Sequence, residues 1–499
     1  MDDTSANKAS RAVDIGGDAA GPVIAGDYNV VIDAKSGSQV SLLTERRRPE
    51  PVRRKQIELL PRAQSAPIGR EAALAALNAA VRQGGSVQLS GPTGSGKSAL
   101  LRHAARTAPA GPDGVIFLSA ATREADDLAQ EIFEACYDAD GYAPSRSELR
   151  RLMKNLRVTV YLDDADLELR PLRDLTDAAP EATFVFTAER RVPLDDLTVI
   201  EVEGLTEQAW RRLLERTLNR PVPAAAHAEV ERLRQAADGR PLVLQRAAAL
   251  AAFDTSGALV LPQAGRIADL VPLLIDQLDA APAAVLGLLA TMAGADLSVV
   301  HIAALTDAAD AEAEAACSRL VELGLAEPTE HGYQCHPDIV AAFRARHPDP
   351  FPVDALCAHF VRWLPQPSTT RAEVAAAARA LERTAQLAAE SGRDDQVVQL
   401  IRAGSPAMAR ALRFGMWGRL LGRGWIAAQK TGDRSAAAYF MHEEGIRSLL
   451  TGRRVLAAAL LAEAALVWKE LGNLHAAQAA QQAQQFIPDA PPPSAPPVS

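Results

Sequence analysis

Short apolar runs alternate with helical patterns between residues 67 and 204. Apolar and β-branched residues cluster in runs at 86–90, 115–118, 158–162, 183–187 and 199–202. Between these runs, apolar positions recur at helical spacing, as they do at Leu128, Ile132 and Phe133. Strands that alternate with helices predict an α/β domain with a doubly wound parallel sheet.

Helical patterns dominate the chain from Leu205 onward. Residues 205–280 place Trp210, Leu213 and Leu214 on one face, which predicts a small all-α lid domain. Within it, the turn Gly239-Arg240-Pro241 opens another helix. We therefore expect an α/β domain followed by helical domains, and a protein that is mostly α overall.

A winged-helix pattern covers residues 281–350. Apolar positions predict three helices, and the turn Glu330-His331-Gly332 predicts a β-hairpin after them. The third helix is acidic, with Glu312 and Glu322, whereas a helix that reads DNA normally carries Arg or Lys. A structural winged helix is therefore favoured over a DNA reader, although DNA stays a candidate partner.

Residues 351–486 are helical and rich in alanine. Gly432-Asp433 and Gly472-Asn473 lie forty residues apart, and Gly452 falls midway between them. This spacing predicts paired antiparallel helices of the tetratricopeptide kind, with an irregular helical bundle as the alternative. Such repeats present a surface to other proteins or peptides, so we expect a protein or peptide ligand there.

The two ends of the chain differ from its middle. In residues 1–44, Gly-Asp turns lie between β-branched pairs such as Val23-Ile24, which suggests two or three short strands or a floppy tail. Residues 45–66 are basic and interrupted by proline, as a linker is. Residues 487–499 form a Pro-rich tail that we expect to be disordered.

Composition and charge narrow the function classes. The chain has 499 residues, of which 48% are hydrophobic, and a net charge of −9. That charge disfavours a general attraction to nucleic acid. Four widely spaced cysteines argue against a disulfide framework. We found neither an N-terminal apolar segment nor an apolar run of about 18 residues. A cytoplasmic protein without a membrane partner is expected.

The clearest chemical motif follows the first apolar run. Residues Gly91–Ser98 match the Walker A pattern of phosphate-binding loops. Its three glycines allow backbone N–H groups, including those near Ser95 and Ala99, to point at phosphate oxygens. Lys97 can reach the β- and γ-phosphates, and the Ser98 hydroxyl can bind Mg²⁺. The candidate glycines are Gly91, Gly94 and Gly96.

Two later strands end in residues that suit the same ligand. The run 158–162 leads into Asp163-Asp164, a Walker B arrangement in which Asp163 would hold Mg²⁺ and Asp164 would activate water. The next run ends at Thr187, which could sense the γ-phosphate. Arg190 could neutralise that phosphate, and ordinary surface charge is the alternative for this arginine.

The order of these pieces resembles the STAND class of P-loop ATPases, close to its NB-ARC-like bacterial branch. The resemblance covers about residues 67–346. It rests on the Walker motifs and on further residues that follow the order of the family. These are Gly69-Arg70-Glu71, Thr187 with Arg190, Gly239-Arg240-Pro241, and Cys335-His336-Pro337-Asp338.

The resemblance implies roles for residues outside the Walker motifs. Arg70 would lie near the adenine, Pro241 would pack on the base, and His336 would contact the β-phosphate of ADP. The chain departs from the family where Cys335 replaces a methionine and Pro337 precedes Asp338. It departs again where two residues separate Thr187 from Arg190.

The resemblance also implies a switch. ADP would hold a closed monomer, ATP would favour an open form able to assemble, and slow hydrolysis would reset the state. The repeats would sense a partner. Two alternatives stay open, namely a transcriptional regulator that binds DNA through its winged helix and a nucleotide-locked scaffold with negligible hydrolysis.

Overall fold

The computed structural model describes residues 23–25, 30–33, 41–45, 50–63, 65–108, 111–121, 123–139, 141–194, 197–253, 258–348 and 351–487. The turns predicted at Gly16-Gly17-Asp18 and Gly26-Asp27 lie outside the described residues. Residues 488–499, which make up nearly all of the predicted Pro-rich tail, also lie outside the described residues.

Within these ranges the strands and helices are interspersed as far as β16, and the helices α13 to α20 follow without a further strand. The strands are β1 Val23–Ala25, β2 Val30–Asp33, β3 Ser41–Glu45, β4 Val52–Arg53, β5 Ile57–Leu59, β6 Ser86–Ser90, β7 Gly114–Ser119, β8 Tyr137–Asp138, β9 Tyr142–Ala143, β10 Val158–Asp163, β11 Thr183–Ala188, β12 Leu197–Glu201, β13 Ala252–Phe253, β14 Leu259–Val260, β15 Ala326–Pro328 and β16 Tyr333–Cys335. The α-helices are α1 Glu71–Gln83, α2 Lys97–Thr107, α3 Ala125–Cys136, α4 Arg146–Met153, α5 Leu169–Ala178, α6 Glu207–Leu218, α7 His227–Ala236, α8 Pro241–Ala249, α9 Leu270–Asp276, α10 Ala280–Thr291, α11 Val299–Thr306, α12 Asp310–Glu322, α13 Pro337–Arg346, α14 Val353–Trp363, α15 Arg371–Glu390, α16 Asp394–Arg410, α17 Phe414–Thr431, α18 Arg434–Leu450, α19 Arg454–Glu470 and α20 Leu474–Gln484.

The central sheet has the strand order β12-β6-β11-β10-β7-β5, and every neighbouring pair is parallel. One apolar core, around Leu77 and Leu100, joins a sheet face to α1 and α2. A second core, around Phe133 and Leu149, joins the sheet to α3, α4 and α5. The prediction of a doubly wound parallel sheet is confirmed.

The strand order fixes where the functional side chains meet. The carboxyl ends of parallel strands lie at one edge of a sheet, and ligands bind there in α/β folds. Strand β11 lies between β6 and β10. Thr187 therefore lies between the loop after β6 and the aspartates at the end of β10.

One strand of this sheet comes from the stretch interpreted as a linker. Strand β5 pairs in parallel with β7, with Ile57 opposite Gly114. Ile57 is buried in the core against α3. The predicted short strands near the N-terminus are also present. β1 pairs with β2 and, in parallel, with β9.

The lid region packs around Trp210, which is fully buried. Pro241 occupies the first position of α8, where its missing N–H costs no hydrogen bond. The region is not wholly α as predicted, because β13 and β14 form a short antiparallel pair in it.

The winged-helix pattern is present in residues 280–335. Helices α10, α11 and α12 precede the antiparallel hairpin β15–β16, and Leu297 pairs with Tyr333 beside that hairpin. Pro337 then opens α13.

The last part of the described chain is a series of helices, α15 to α20, joined by short turns. A residue with left-handed backbone recurs every twenty positions in these turns. These residues are Gly392, Leu412, Gly432, Gly452 and Gly472. A pair of helices therefore repeats every forty residues, which is the period predicted from the sequence.

We searched the described residues for helices that could span a membrane. No single helix among them is both long and apolar enough to do so. The pair Gly265–Asp276 and Ala280–Thr291 meets the criteria together, by length and composition only, and is bent by 119°.

Candidate functional site

The loop after β6 is built on glycines in unusual backbone conformations. Gly91, Gly94 and Gly96 have φ values of 153°, 79° and 95°. Other residue types adopt this region with strain. A Cβ at Gly91 would also lie 2.7 Å from the carbonyl oxygen of Val202. Strand β6 and helix α2 flank the loop, which is the context that the Walker A motif requires.

Two buried cations hold the loop from inside. Lys97 Nζ donates hydrogen bonds to the carbonyl oxygens of Gly91 at 2.7 Å and Pro92 at 3.2 Å. Arg70 donates to the carbonyl oxygen of Ser95 at 2.6 Å. Burial lowers the pKa of Arg70. The predicted Arg70 is thus a support of the loop backbone in this structure.

The groups in and after this loop suit a nucleotide's phosphates. The first N–H groups of α2 have no partner within the helix, and its N-terminus attracts anions. Ser95 Oγ is buried without a hydrogen-bond partner among the described residues. Lys97 adds a positive charge at the start of the same helix, close to Ser98 and Ala99.

The end of β10 forms a tight polar network. The Thr187 hydroxyl donates to Asp163 Oδ1 at 2.9 Å and accepts from the backbone N–H of Asp164 at 2.8 Å. Arg102 Nη2 lies 3.2 Å from Asp163 Oδ2. The Asp163 carboxylate therefore faces a neutral donor, the Thr187 hydroxyl, and a charged donor, the Arg102 guanidinium. Carboxylate and hydroxyl oxygens such as those of Asp163 and Ser98 suit Mg²⁺.

Asp164 combines an unusual backbone conformation with a raised pKa. Its backbone adopts a φ of 52°, which aspartate tolerates better than most residues. Burial raises the pKa of Asp164 to about 7, and the negative charges of Asp163 and Glu327 contribute to the shift. A base is most useful when its pKa is near the working pH.

Helix α8 covers the phosphate loop from the lid. The backbone N–H of Leu242 points at the carbonyl oxygen of Gly94, at 3.4 Å. A Cβ at Gly94 would lie 3.1 Å from Leu242 Cβ, and one at Gly96 would lie 3.8 Å from Pro241 Cγ. The structure therefore places the predicted Pro241 directly against the loop.

One turn further along, the same helix contacts the winged helix. Gln245 Nε2 donates to the carbonyl oxygen of Val321 at 2.6 Å, at the end of α12. Arg246 Nε donates to the carbonyl oxygen of Gly324 at 2.9 Å. The Arg246 guanidinium also pairs with both carboxylate oxygens of Asp338, in α13.

The predicted His336 lies beside this ion pair. It occupies the position just before α13, and burial lowers its pKa, while Glu327 acts in the opposite direction. The charge of Glu327 also acts on Asp164. The hairpin β15–β16 thus lies near the end of β10, and His336 belongs to the winged-helix side of the site.

Arg190 lies at the rim of the site. Its side chain is exposed, and its backbone carbonyl accepts a hydrogen bond from Gln88 Nε2 at 2.6 Å. The neighbouring Glu189 carboxylate accepts from the Thr93 hydroxyl of the phosphate loop.

Sequence reasoning missed two arginines of the site. Arg102 follows Ser98 by four residues and so shares its helix face, which is a signal that the sequence did offer. Arg246 follows Pro241 by five residues, and its partner Asp338 is 92 residues away. Sequence spacing alone carries no signal for that pair.

Comparisons with known proteins were made by sequence and by structure. No protein-family model matches the chain, and no curated protein matches it. A structural match is a signal transduction ATPase with numerous domains (STAND) protein with a tetratricopeptide repeat sensor, from Pyrococcus horikoshii. The match covers 86% of this chain and 78% of that chain, at 14% identity and a TM-score of 0.45. It is a similarity of overall structure alone.

Proposed function

We propose that the protein is a nucleotide-dependent switch in signal transduction. ADP holds it closed, ATP favours an open form that assembles, slow hydrolysis resets it, and the repeats sense a partner protein or peptide. The observation that carries this proposal is the path of α8. Its first residues lie on the phosphate loop, and its next turn is bonded to the winged helix.

A switch needs an element whose position depends on the ligand. Residues Pro241 and Leu242 pack on the glycines of the loop, so a nucleotide in the loop changes what this end of α8 touches. Arg246 transmits that change, because it is buried and bonded to both Gly324 and Asp338. Loop and winged helix are thereby joined through one nine-residue helix.

The residues of the loop and of β10 take distinct roles in this proposal. Lys97 exchanges its bonds with the loop carbonyls for bonds with phosphate oxygens. Ser98 and Asp163 would hold Mg²⁺, which would supply positive charge against the phosphates. Asp164 Oδ takes the proton from the attacking water. Thr187 fixes the orientation of both aspartates through its hydroxyl.

The proposal predicts how single substitutions change nucleotide retention. Lys97→Ala should abolish retention of fluorescent ADP, because the ammonium charge is lost. Arg246→Ala should raise the ADP dissociation rate about tenfold or more, since it leaves Gly324 and Asp338 without their buried partner. Stopped-flow displacement of fluorescent ADP by unlabelled ADP measures both.

A matched control is Arg266→Ala, which removes an exposed arginine paired with Asp269. Its dissociation rate should equal that of the wild type. If ADP dissociated at the same rate from Arg246→Ala and from the wild type, the proposal that α8 links the nucleotide to the winged helix would be wrong. Light scattering with ADP and with ATP then tests the proposed assembly.

DNA binding is the weaker candidate. Helix α12, at the position of a reading helix, exposes Asp310, Glu312 and Glu322. Phosphate contacts would need positive charge on that face. Salt-sensitive binding of duplex DNA by the full chain would favour the DNA-binding regulator instead.

A further inference from the structure

The N-terminus of helix α17 receives its cap from a different part of the chain. The Asp127 carboxylate, in α3 beside the central sheet, accepts hydrogen bonds from the backbone N–H groups of Gly415 and Met416, each at 2.8 Å. Burial raises the pKa of Asp127 to about 6, so the group is ionised at pH 7 and above. An ionised carboxylate at this position also interacts favourably with the helix dipole.

Helices α18 and α20 of the repeats cap themselves, whereas α16 and α19, like α17, begin after an arginine and have no side-chain cap of their own. Asp433 accepts from the N–H of Ala436 in α18, and Asn473 accepts from that of Ala476 in α20. At the equivalent position before α17 stands Arg413, which has no acceptor atom to offer. The start of α17 thus has no cap of its own, and Asp127 of α3 supplies the acceptor there.

Arg413 instead points towards the acidic face of α3. Its guanidinium lies 3.3 Å from a Glu131 oxygen and 2.9 Å from a Glu134 oxygen. Arg413 is only 7% exposed. Asp127, Glu131 and Glu134 follow each other at helical spacing, so the carboxylates come from one face of one helix.

A second contact brings the two helices very close. Arg419 Nη1 lies 3.2 Å from a Glu124 oxygen, just before α3. A Cβ at Gly415 would lie 2.5 Å from Glu124 Cβ, so glycine is what permits this approach. The acidic residues of α3 thus meet a helix N-terminus and two arginines of the repeats.

We propose that α3 is a built-in acidic ligand of the repeats, and that it holds them against the nucleotide-binding part until an acidic segment of a partner protein replaces it. The competing segment must supply what α3 supplies, namely a carboxylate for the start of α17 and further carboxylates for Arg413. The role of this exchange in signalling rests on the proposed function. The contact between α3 and the start of α17 does not depend on the proposed function.

The position of α3 gives the exchange a route to the nucleotide site. The backbone N–H of Ala120, in the segment leading to α3, donates to the carbonyl oxygen of Asp163 at 2.7 Å. Arg123, at the start of that helix, pairs with Glu131. A shift of α3 away from the repeats therefore acts on the backbone of the Walker B aspartate.

The test uses the full chain at pH 7.5 without nucleotide, and a fluorescent peptide of residues 123–136 as probe. In the wild type the site is filled by α3, and the peptide should bind weakly. Asp127→Ala frees the start of α17, so peptide affinity should rise about tenfold, which corresponds to the loss of one cap. Small-angle scattering should show a larger radius of gyration.

Two further variants separate the cap from general destabilisation. Arg413→Asp gives α17 a cap of its own and places a negative charge against Glu131 and Glu134, so it should extend the molecule and lose peptide binding. Asp433→Ala removes a cap within the repeats and should bind the peptide as the wild type does. A peptide with alanine at the position of Asp127 should bind about tenfold more weakly than the unchanged peptide.

Equal peptide affinity and equal radius of gyration in Asp127→Ala and the wild type would overturn the proposal. Equal binding of the two peptides would do so as well. Because no nucleotide is present, a failure of the proposed nucleotide switch leaves these outcomes unchanged, and the two failures can be told apart.

Discussion

At the scale of single residues, the hydroxyl of Thr187 organises the carboxyl end of the central sheet. It donates to Asp163 and accepts from the backbone of Asp164, so one small side chain orients two acidic residues. Arg102 balances the charge of Asp163 from the opposite side. The raised pKa of Asp164 follows from burial first, and the charge of Arg102 opposes the shift.

Hydrolysis should therefore depend on pH through Asp164. The base works only when ionised, and its pKa is about 7, so the ATPase rate should rise as pH increases through 7 and fall below it. Asp164→Asn should lower the rate about 100-fold and flatten the profile. Steady-state phosphate release between pH 5.5 and 8.5 measures this. Equal, near-zero rates in both proteins would support the nucleotide-locked scaffold.

The candidate site could be predicted where it depends on local sequence. The phosphate loop needs three glycines and a lysine within eight residues, and such a pattern is visible without a structure. Arg246 and Asp338 meet only because α8 packs on α12 and α13, and that packing depends on the whole fold. The predicted roles of Pro241, His336 and Arg190 toward a nucleotide stay predictions.

At the scale of elements, the turns of the repeats show how backbone conformation sets the period. Gly432 has a φ of 69° and closes α17, with open space around the position of a Cβ. Gly422 lies inside α17 and also has open space there, but its φ is that of an ordinary helix. The two glycines differ in backbone conformation alone.

Alanine substitutions at these two glycines should therefore have opposite effects. Gly432→Ala should destabilise the protein by about 1 kcal/mol, because a Cβ strains the left-handed conformation. Gly422→Ala should stabilise it by roughly 0.5–1 kcal/mol, because alanine favours the helix interior. Thermal unfolding followed by tryptophan fluorescence measures both. Destabilisation of equal size by both substitutions would contradict this account.

Most elements of the fold could be predicted from periodicity, including the strands that carry the Walker motifs. Strand β5 could not, because three residues in a charged, Pro-containing stretch give little pattern, and its pairing with β7 is a tertiary contact. The cap of α17 could not be predicted from the sequence either. Asp127 and Gly415 are 288 residues apart, and nothing local links them.

At the scale of the whole molecule, the turn of the winged-helix hairpin lies between the nucleotide-binding part and the repeats. A cavity of about 720 Å³ at this junction is lined by Glu330 and His331 from the turn, by Glu131 and Glu134 from α3, and by Arg413. This arrangement thus encloses a buried carboxyl group of which one oxygen, Glu330 Oε1, has no hydrogen-bond partner among the described residues.

Stability should consequently depend on pH through Glu330. Burial raises its pKa from 4.5 to about 7, while Arg123 and Arg102 lower it and Glu131 raises it. Relative to Glu330→Gln, the wild type should lose stability as pH rises from 4.5 through 7, because its charged form is disfavoured in the folded state. The difference should be near zero at pH 4.5 and about 3 kcal/mol at pH 8.

Denaturant unfolding of the two proteins at several pH values measures this difference. Glu181→Gln, at an exposed position, is the control, and its stability should stay parallel to that of the wild type. If the free energies of unfolding of Glu330→Gln and the wild type differed by a constant amount across this pH range, Glu330 would not be buried in its charged form.

The length of α8 has a mechanical consequence. Its two points of attachment, Pro241 and Arg246, are five residues apart, so about 7.5 Å of helix lies between them and resists compression along its axis. The two surfaces at which α8 is fixed, the glycine loop and the pair formed by Arg246 with Asp338, cannot change their separation by small independent steps. Motion at one must appear at the other as a displacement of similar size. A rigid element of this kind transmits displacement, so under the proposed function the winged helix would follow the glycine loop when the bound nucleotide changes.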